Sequence, residues 1–130
     1  MTKNTALTSG ILIKVSTQYR ADISLPEIPS FFFDYRIDIE NRNSFAIQLM
    51  HRDWFVFDSL NTASHISGEG VIGKQPVLQP GETFTYTSGC ELKSEIGSMS
   101  GFYTCKNLES DELFKVDIPT FDLTTPFKLN

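Results

Sequence analysis

Apolar and polar residues alternate with a period of two along most of this chain, as strands with one buried face require. In FFFDYRIDIE, residues 31–40, Phe31, Phe33, Tyr35, Ile37 and Ile39 fall on one side, and Phe32, Asp34, Arg36, Asp38 and Glu40 on the other. The stretch ILIKVSTQYR, residues 11–20, repeats the pattern with Ile11, Ile13, Val15 and Tyr19 against Lys14, Ser16, Gln18 and Arg20. Turn chemistry from Asn41 to Ser44 precedes a further strand expected to start at Phe45. Its phase, Phe45, Ile47, Leu49, is interrupted by His51-Arg52-Asp53, which predicts a bulge or bend. Trp54-Phe55-Val56-Phe57 then reads as a central strand covered on both faces, and SLNTAS as a hairpin loop around Asn61.

Later strands are expected at Thr83–Cys90, Ser98–Lys106 and Leu113–Ile118, separated by the turns LQPGE and NLESDE. Pro119 and Pro126 leave the C-terminal tail extended at best. Nowhere do apolar residues recur at three-and-four spacing for three turns, so little helix is expected. Seven or eight short strands with regular turns predict an all-β antiparallel sandwich. Ile13, Val15, Phe33, Tyr35, Ile37, Trp54, Val56, Tyr86, Tyr103 and Val116 form its expected interior. The chain reads as a single domain over residues 1–130, with a core of about 10–127 and a short flexible N-terminus.

A domain of 130 residues buries roughly two thirds of its unfolded surface, so neither a disulfide nor a metal is needed for stability. Cys90 and Cys105 are accordingly read as reduced, core-facing thiols. The net charge of −5, with no lysine or arginine cluster, argues against nucleic acid. No apolar run is long enough to span a bilayer, and Lys14 interrupts the only N-terminal apolar stretch, so a cytoplasmic protein is expected.

The candidate chemistry centres on Gly68-x-Gly70-x-x-Gly73, the spacing of dinucleotide-binding loops. Such a loop works when it opens a helix whose N-terminus faces the pyrophosphate. Pro76 and Pro80 would interrupt any helix here, so the glycines are expected first to serve bulges, positive φ angles or close backbone approach. A glycine-rich loop can still aim N–H groups at an anion, and Lys74 stands beside this one. Gly68, Gly70, Gly73 and Lys74 are therefore the candidate ligand-binding residues, with a pyrophosphate-containing molecule as the ligand class. His51, His65 and Asp53 lack a ligand-spaced metal motif and read as surface or hairpin-end residues. Ser88-Gly89-Cys90 has no histidine in a recognisable triad context, and Asp38 and Glu40 lie on a solvated strand face. No catalytic residue, metal site or cofactor is expected.

The run GEGVIGKQPVLQPGETFTYTSGCELKSEIGSMSGFYTC closely resembles the ApaG family, whose pattern runs GEGVVGxQPxLxPGExFxYTSG and then GxMxGxY. Arg52 and Trp54 match that family's Arg and Trp two apart, and the likeness extends over roughly residues 10 to 127. Ser94-Glu95 stand where the family often has Thr-Pro, and Lys74 replaces a frequent Glu. The resemblance implies an immunoglobulin-like or fibronectin type III-like sandwich and a small cytoplasmic protein. It also implies an association with cobalt and magnesium tolerance and with genes for dinucleoside polyphosphate breakdown. Related domains in eukaryotic F-box and polymerase-interacting proteins imply protein binding. Two functions follow as expectations: a non-enzymatic protein-interaction module, and a small-ligand module holding pyrophosphate at the Gly68–Gly73 loop.

Overall fold

The computed structural model describes residues 2–25 and 27–128; Met1, Pro26, Leu129 and Asn130 lie outside the described residues. Two antiparallel sheets pack face to face. The first has the order β1 (Thr2–Thr8), β2 (Ile11–Tyr19), β3 (Phe31–Asn41), β7 (Thr83–Leu92). The second runs β5 (Ser64–Glu69), β4 (Ile47–Asp58), β8 (Ile96–Asn107), β9 (Leu113–Thr124), with the two-residue β6 (Val77–Leu78) also on β4. The only helical element among the described residues is a 3-10 turn at Pro126–Lys128, and none is long and apolar enough to cross a membrane. The sandwich expected from periodicity is what forms, and all ten residues assigned to its interior are buried.

The inward faces supply one continuous core. Ile11, Ile13 and Val15 of β2 and Phe31 to Ile39 of β3 meet Trp54 of β4, Tyr103 of β8 and Phe121 of β9. Trp54 is the hub, with ring centroids 5.4 Å from Tyr35, 5.9 Å from Phe121 and 6.3 Å from Tyr103. Tyr35 of the first sheet packs on both Trp54 and Phe121 of the second, so this part of the aromatic cluster crosses between the sheets and resists their sliding. Tyr86 and Tyr103 satisfy each other's buried hydroxyls through a mutual hydrogen bond.

Two bulges decide which residues face the core. On β4, register slips between Leu49 and His51, so the buried set changes from Ile47 and Leu49 to Trp54 and Val56. On β9, Pro119 and Thr120 together oppose Ser100, and the buried set changes from Val116 and Ile118 to Phe121 and Leu123. A bulged edge tolerates Pro119 because, among the described residues, no strand is paired with β9 on its far side to need the missing N–H. The strand thus continues to Thr124, where the prolines had suggested an end at Ile118.

Other expectations are corrected. The apolar run after the β4 bulge is covered on one face only, with Phe55 42% and Phe57 50% exposed on the other. Residues 2–8, placed before the core as flexible, form β1, paired throughout with β2. Its exposed Leu7 and polar neighbours hide an edge strand from any alternation test. Among the described residues there are nine strands, β6 being only two residues long, close to the seven or eight expected. The Asn41–Ser44 turn carries the chain from one sheet to the other, and the next strand starts at Ile47. Fully buried Asn41 holds this corner, donating to the Phe45 and Leu78 carbonyls and accepting from the Asn43 amide.

Candidate functional site

The two sides of the sandwich differ. Edge strands β1 and β9 pack together, tied by Asn4 Nδ2 donating to the Thr120 carbonyl at 2.7 Å. On the opposite side β5 and β7 stand apart, leaving a cleft of about 470 Å³ between the sheets. The glycine loop forms one lip of it.

Gly68 and Glu69 end β5, opposite Arg52 and His51 of β4. Beyond them the loop folds into a tight two-residue turn, in which the Val71 amide donates to the Lys74 carbonyl and the Lys74 amide returns the bond. Both central residues take positive φ, Ile72 at 43° and Gly73 at 77°, which is the twist favoured in two-residue hairpins. The Gly70 amide donates to the Met50 carbonyl. A Cβ on Gly70, itself at φ +59°, would lie 1.9 Å from the Lys74 carbonyl oxygen. Three amides that a phosphate-cradling loop would present are thus bonded within the fold. Lys74 is exposed and takes part in no ion pair among the described residues.

The β4 bulge has a second consequence. By shifting phase it turns Arg52 inward, beside Trp54, and leaves His51 and Asp53 outside. Arg52 Nη1 donates to the Glu69 carbonyl at 2.8 Å and the Gly70 carbonyl at 3.0 Å, so the glycine loop holds one edge of the guanidinium. Gly68 makes room for it, since a Cβ there would stand 2.8 Å from Arg52 Nη2. Across the cleft β7 contributes Tyr86, Ser88 and Cys90. Burial pushes the Tyr35 hydroxyl above its ordinary pKa, against a hydrogen bond from Ser88 and the charge of Arg52. Burial likewise raises Cys90 to about 11, helped by Asp58 and Glu91, and Cys105 to about 12. Both thiols are free, as expected, but Cys90 lies within β7, half-buried at the cleft, and only Cys105 is fully in the core.

On the outer face the same strands assemble a polar cluster that sequence spacing did not show. Asp53, 9% exposed, accepts from His65 Nε2 at 2.8 Å and faces His51 Nδ1 at 3.3 Å, while Ser67 Oγ stands 3.3 Å from His51 Nε2. The cross-strand register Asp53 to Ser67 and Phe55 to His65 brings these residues together, and His65 also stacks on Phe55 at 4.6 Å. Burial pushes the Asp53 carboxyl up, but hydrogen bonds from His65, Ser67 and His51 outweigh it and hold it below the ordinary value of 3.8. His51 and His65 thus lie within strands, anchoring a carboxylate, rather than at hairpin ends. The order Ser67–His51–Asp53 follows that of a hydrolase triad, but Ser67 lines none of the described cavities. Acyl transfer also needs a substrate pocket and oxyanion donors at the nucleophile. No group of three or more His, Cys, Asp or Glu among the described residues has the geometry to hold a metal.

The family model of the ApaG domain matches residues 21–107, more than half of the chain. The chain belongs to the ApaG domain family. A Protein ApaG from Methylorubrum extorquens is 40% identical over 121 residues, covering 93% of this chain and 92% of the relative. Protein ApaG from Sinorhizobium fredii is 40% identical with the same coverage. A crystal structure of a Bordetella pertussis protein described as ApaA superposes with a TM-score of 0.85 at 37% identity, covering 89% of this chain and 94% of that one. The ApaG fold therefore stands on sequence and structure together. The ApaG pattern carried the glycines, Arg52 and Trp54 as a string of letters; their meeting at one cleft is a property of the bulge and the β4–β5 register.

Proposed function

We propose that this chain is a non-enzymatic protein-interaction module that receives an extended segment of a partner along its open β5/β7 side. The observation that carries the reading is the asymmetry of the sandwich. Strands β5 and β7 are both sheet edges, with no strand paired on one flank among the described residues, and both border the same cleft. Edge strands of this kind bind peptides by adding a strand, with side-chain pockets giving selectivity. Ile66 and Ile72, 49% and 55% exposed at the rim, would supply apolar contact.

The alternative of pyrophosphate held by the loop keeps Lys74 but loses the amides of Gly70, Val71 and Lys74 to internal bonds. The divalent-cation tolerance implied by the family resemblance would, on this reading, run through the partner. A photo-crosslinking residue at Ile66 or Ile72, with a control at Leu113 on β9, tests the proposal in cells. A discrete protein adduct from the open side alone is expected. Adducts from Leu113 only, or equally from all three positions, would contradict it.

A further inference from the structure

Arg52 has an environment unlike that of the other arginines. Arg20 pairs with Asp22 and Asp34, Arg36 with Asp38, and Arg42 with Glu40, all on solvated surfaces. Such pairs contribute little, because water already satisfies both partners. Arg52 lies between the sheets and has no carboxylate partner among the described residues. Two loop carbonyls fix Nη1, whereas Nε and Nη2 have no hydrogen-bond partner among the described residues. The backbone has yielded to the group, since Gly68 leaves the space that a side chain would have taken from it. A planar cation with one edge anchored and the other open is arranged for a two-pronged bond to an oxyanion.

The surroundings narrow the ligand. The cleft is of the size of small-molecule sites. Beside Arg52 its walls are largely apolar, with Trp54, Ile66, Ile72 and Met99, and the hydroxyls of Tyr35 and Ser88 stand opposite. Glu91 lines the same cleft, its Oε2 engaged by Ser30 Oγ at 2.7 Å, and the whole chain carries −5. One guanidinium and one acidic side chain lining the same cleft suit a singly charged ligand better than a doubly charged phosphate, whose second charge would be repelled.

We propose that the β5/β7 cleft is a carboxylate-binding pocket, in which the open edge of Arg52 takes the carboxylate and the Trp54–Ile66–Ile72 wall takes an attached apolar or aromatic body. The carboxylate comes either from a free organic acid or from the end of a peptide lying in the cleft. The inference rests on the open side being the binding side, but not on the partner being a protein.

The test is an NMR titration of the isotope-labelled full chain with 3-phenylpropionate, its amide, and phenyl phosphate. A second arm uses a short peptide ending in Phe as the free acid and as the C-terminal amide. Shifts of the Arg52 Nε–H signal and of the Ser88 to Cys90 amides are expected with the acids and not with the amides. Arg52→Gln should weaken binding by about tenfold, the loss expected for a charge-assisted pair. Because Arg52→Gln can also disturb the loop, Ile72→Asp and Ile72→Asn provide a second comparison. Both remove the same apolar contact at a position of positive φ that suits either residue, and only Asp adds a repelling charge. Weaker carboxylate binding by the Asp variant than by the Asn variant supports the pocket. Binding by the peptide acid but not the free acid assigns the source to a peptide, and the reverse assigns it to a small molecule. Three results would overturn the proposal: no Arg52 shift at millimolar acid, equal binding of acids and amides, or tighter binding of phenyl phosphate. None of these depends on the crosslinking result, so the two readings fail separately.

Discussion

The β1/β9 and β5/β7 sides of this sandwich are built from the same kind of strand and end differently. On the first, the edges meet, Asn4 reaches across to Thr120, and Phe121 and Leu123 of β9 are buried. On the second, the edges part, every residue of β5 is exposed except the half-buried Gly68, and an arginine occupies the gap. Irregular backbone is found here, with Gly70, Ile72 and Gly73 all at positive φ. Positive φ occurs on the closed side as well, at Ser9 and Gly10 between β1 and β2 and at Asp111 before β9, so what separates the two sides is how far their edge strands are buried. One side holds the sheets together, and the other leaves a cleft between them.

The largest test of that division is a matched truncation. Phe121→Ala on the closed side should cost about 3–5 kcal/mol in denaturant unfolding, as a buried aromatic does. Ile66→Ala on the open side should stay within about 0.5 kcal/mol, since half the side chain is already in water. Equal costs would mean that the open side carries the fold as well.

A second comparison sharpens the account within the glycine loop. Gly70→Ala combines a left-handed backbone with a clash against the Lys74 carbonyl and should destabilise by more than about 2 kcal/mol. Gly73→Ala has the same kind of φ but no atom within 4 Å of the new Cβ, and should cost about 1–2 kcal/mol. Thermal melts of the two variants check the order; a reversal would show that the turn is not held by the Gly70 contact.

Acid sensitivity distinguishes the regions more gently. Burial raises the carboxyl of Asp58, but bonds from the Lys93, Ser94 and Leu60 region more than reverse this, so both Asp53 and Asp58 lie below the ordinary 3.8. Each carboxylate binds fewer protons folded than unfolded. Their contribution is therefore complete above pH 3.8 and is lost as pH falls through the lowered folded values. Urea unfolding between neutral and strongly acid pH should show this loss. Asp58→Asn should flatten the curve partly, leaving the Asp53 share with its histidines.

Much of this architecture was legible in the sequence because a half-buried strand writes its face into every second residue. β3 is the clearest case, with Phe31, Phe33, Tyr35, Ile37 and Ile39 all buried as the alternation required. The break at His51-Arg52-Asp53 also announced its bulge. Edges β7 and β9 were expected, whereas the other two edge strands were not legible: β1 and β5 bury too little for alternation to rise above their polar composition. Nor was the site. Arg52 was visible only as half of a family motif, and Ser67 gave no signal, because cross-strand register joins residues that spacing keeps apart. The inward turn of Arg52 depends on one extra residue in β4, a geometric fact without its own letter code.

The two cysteines measure the central claim directly. Cys90 sits at the open cleft and Cys105 in the closed core, so the native chain carries one probe for each region. Thiol labelling should modify Cys90 without unfolding, at a rate that rises with pH toward its raised pKa of about 11, and should reach Cys105 only as fast as the whole protein unfolds. An aromatic carboxylate occupying the cleft should slow the first reaction and leave the second alone. If both thiols react only at the rate of global unfolding, the β5/β7 side is closed, and the division between a structural side and a binding side is wrong.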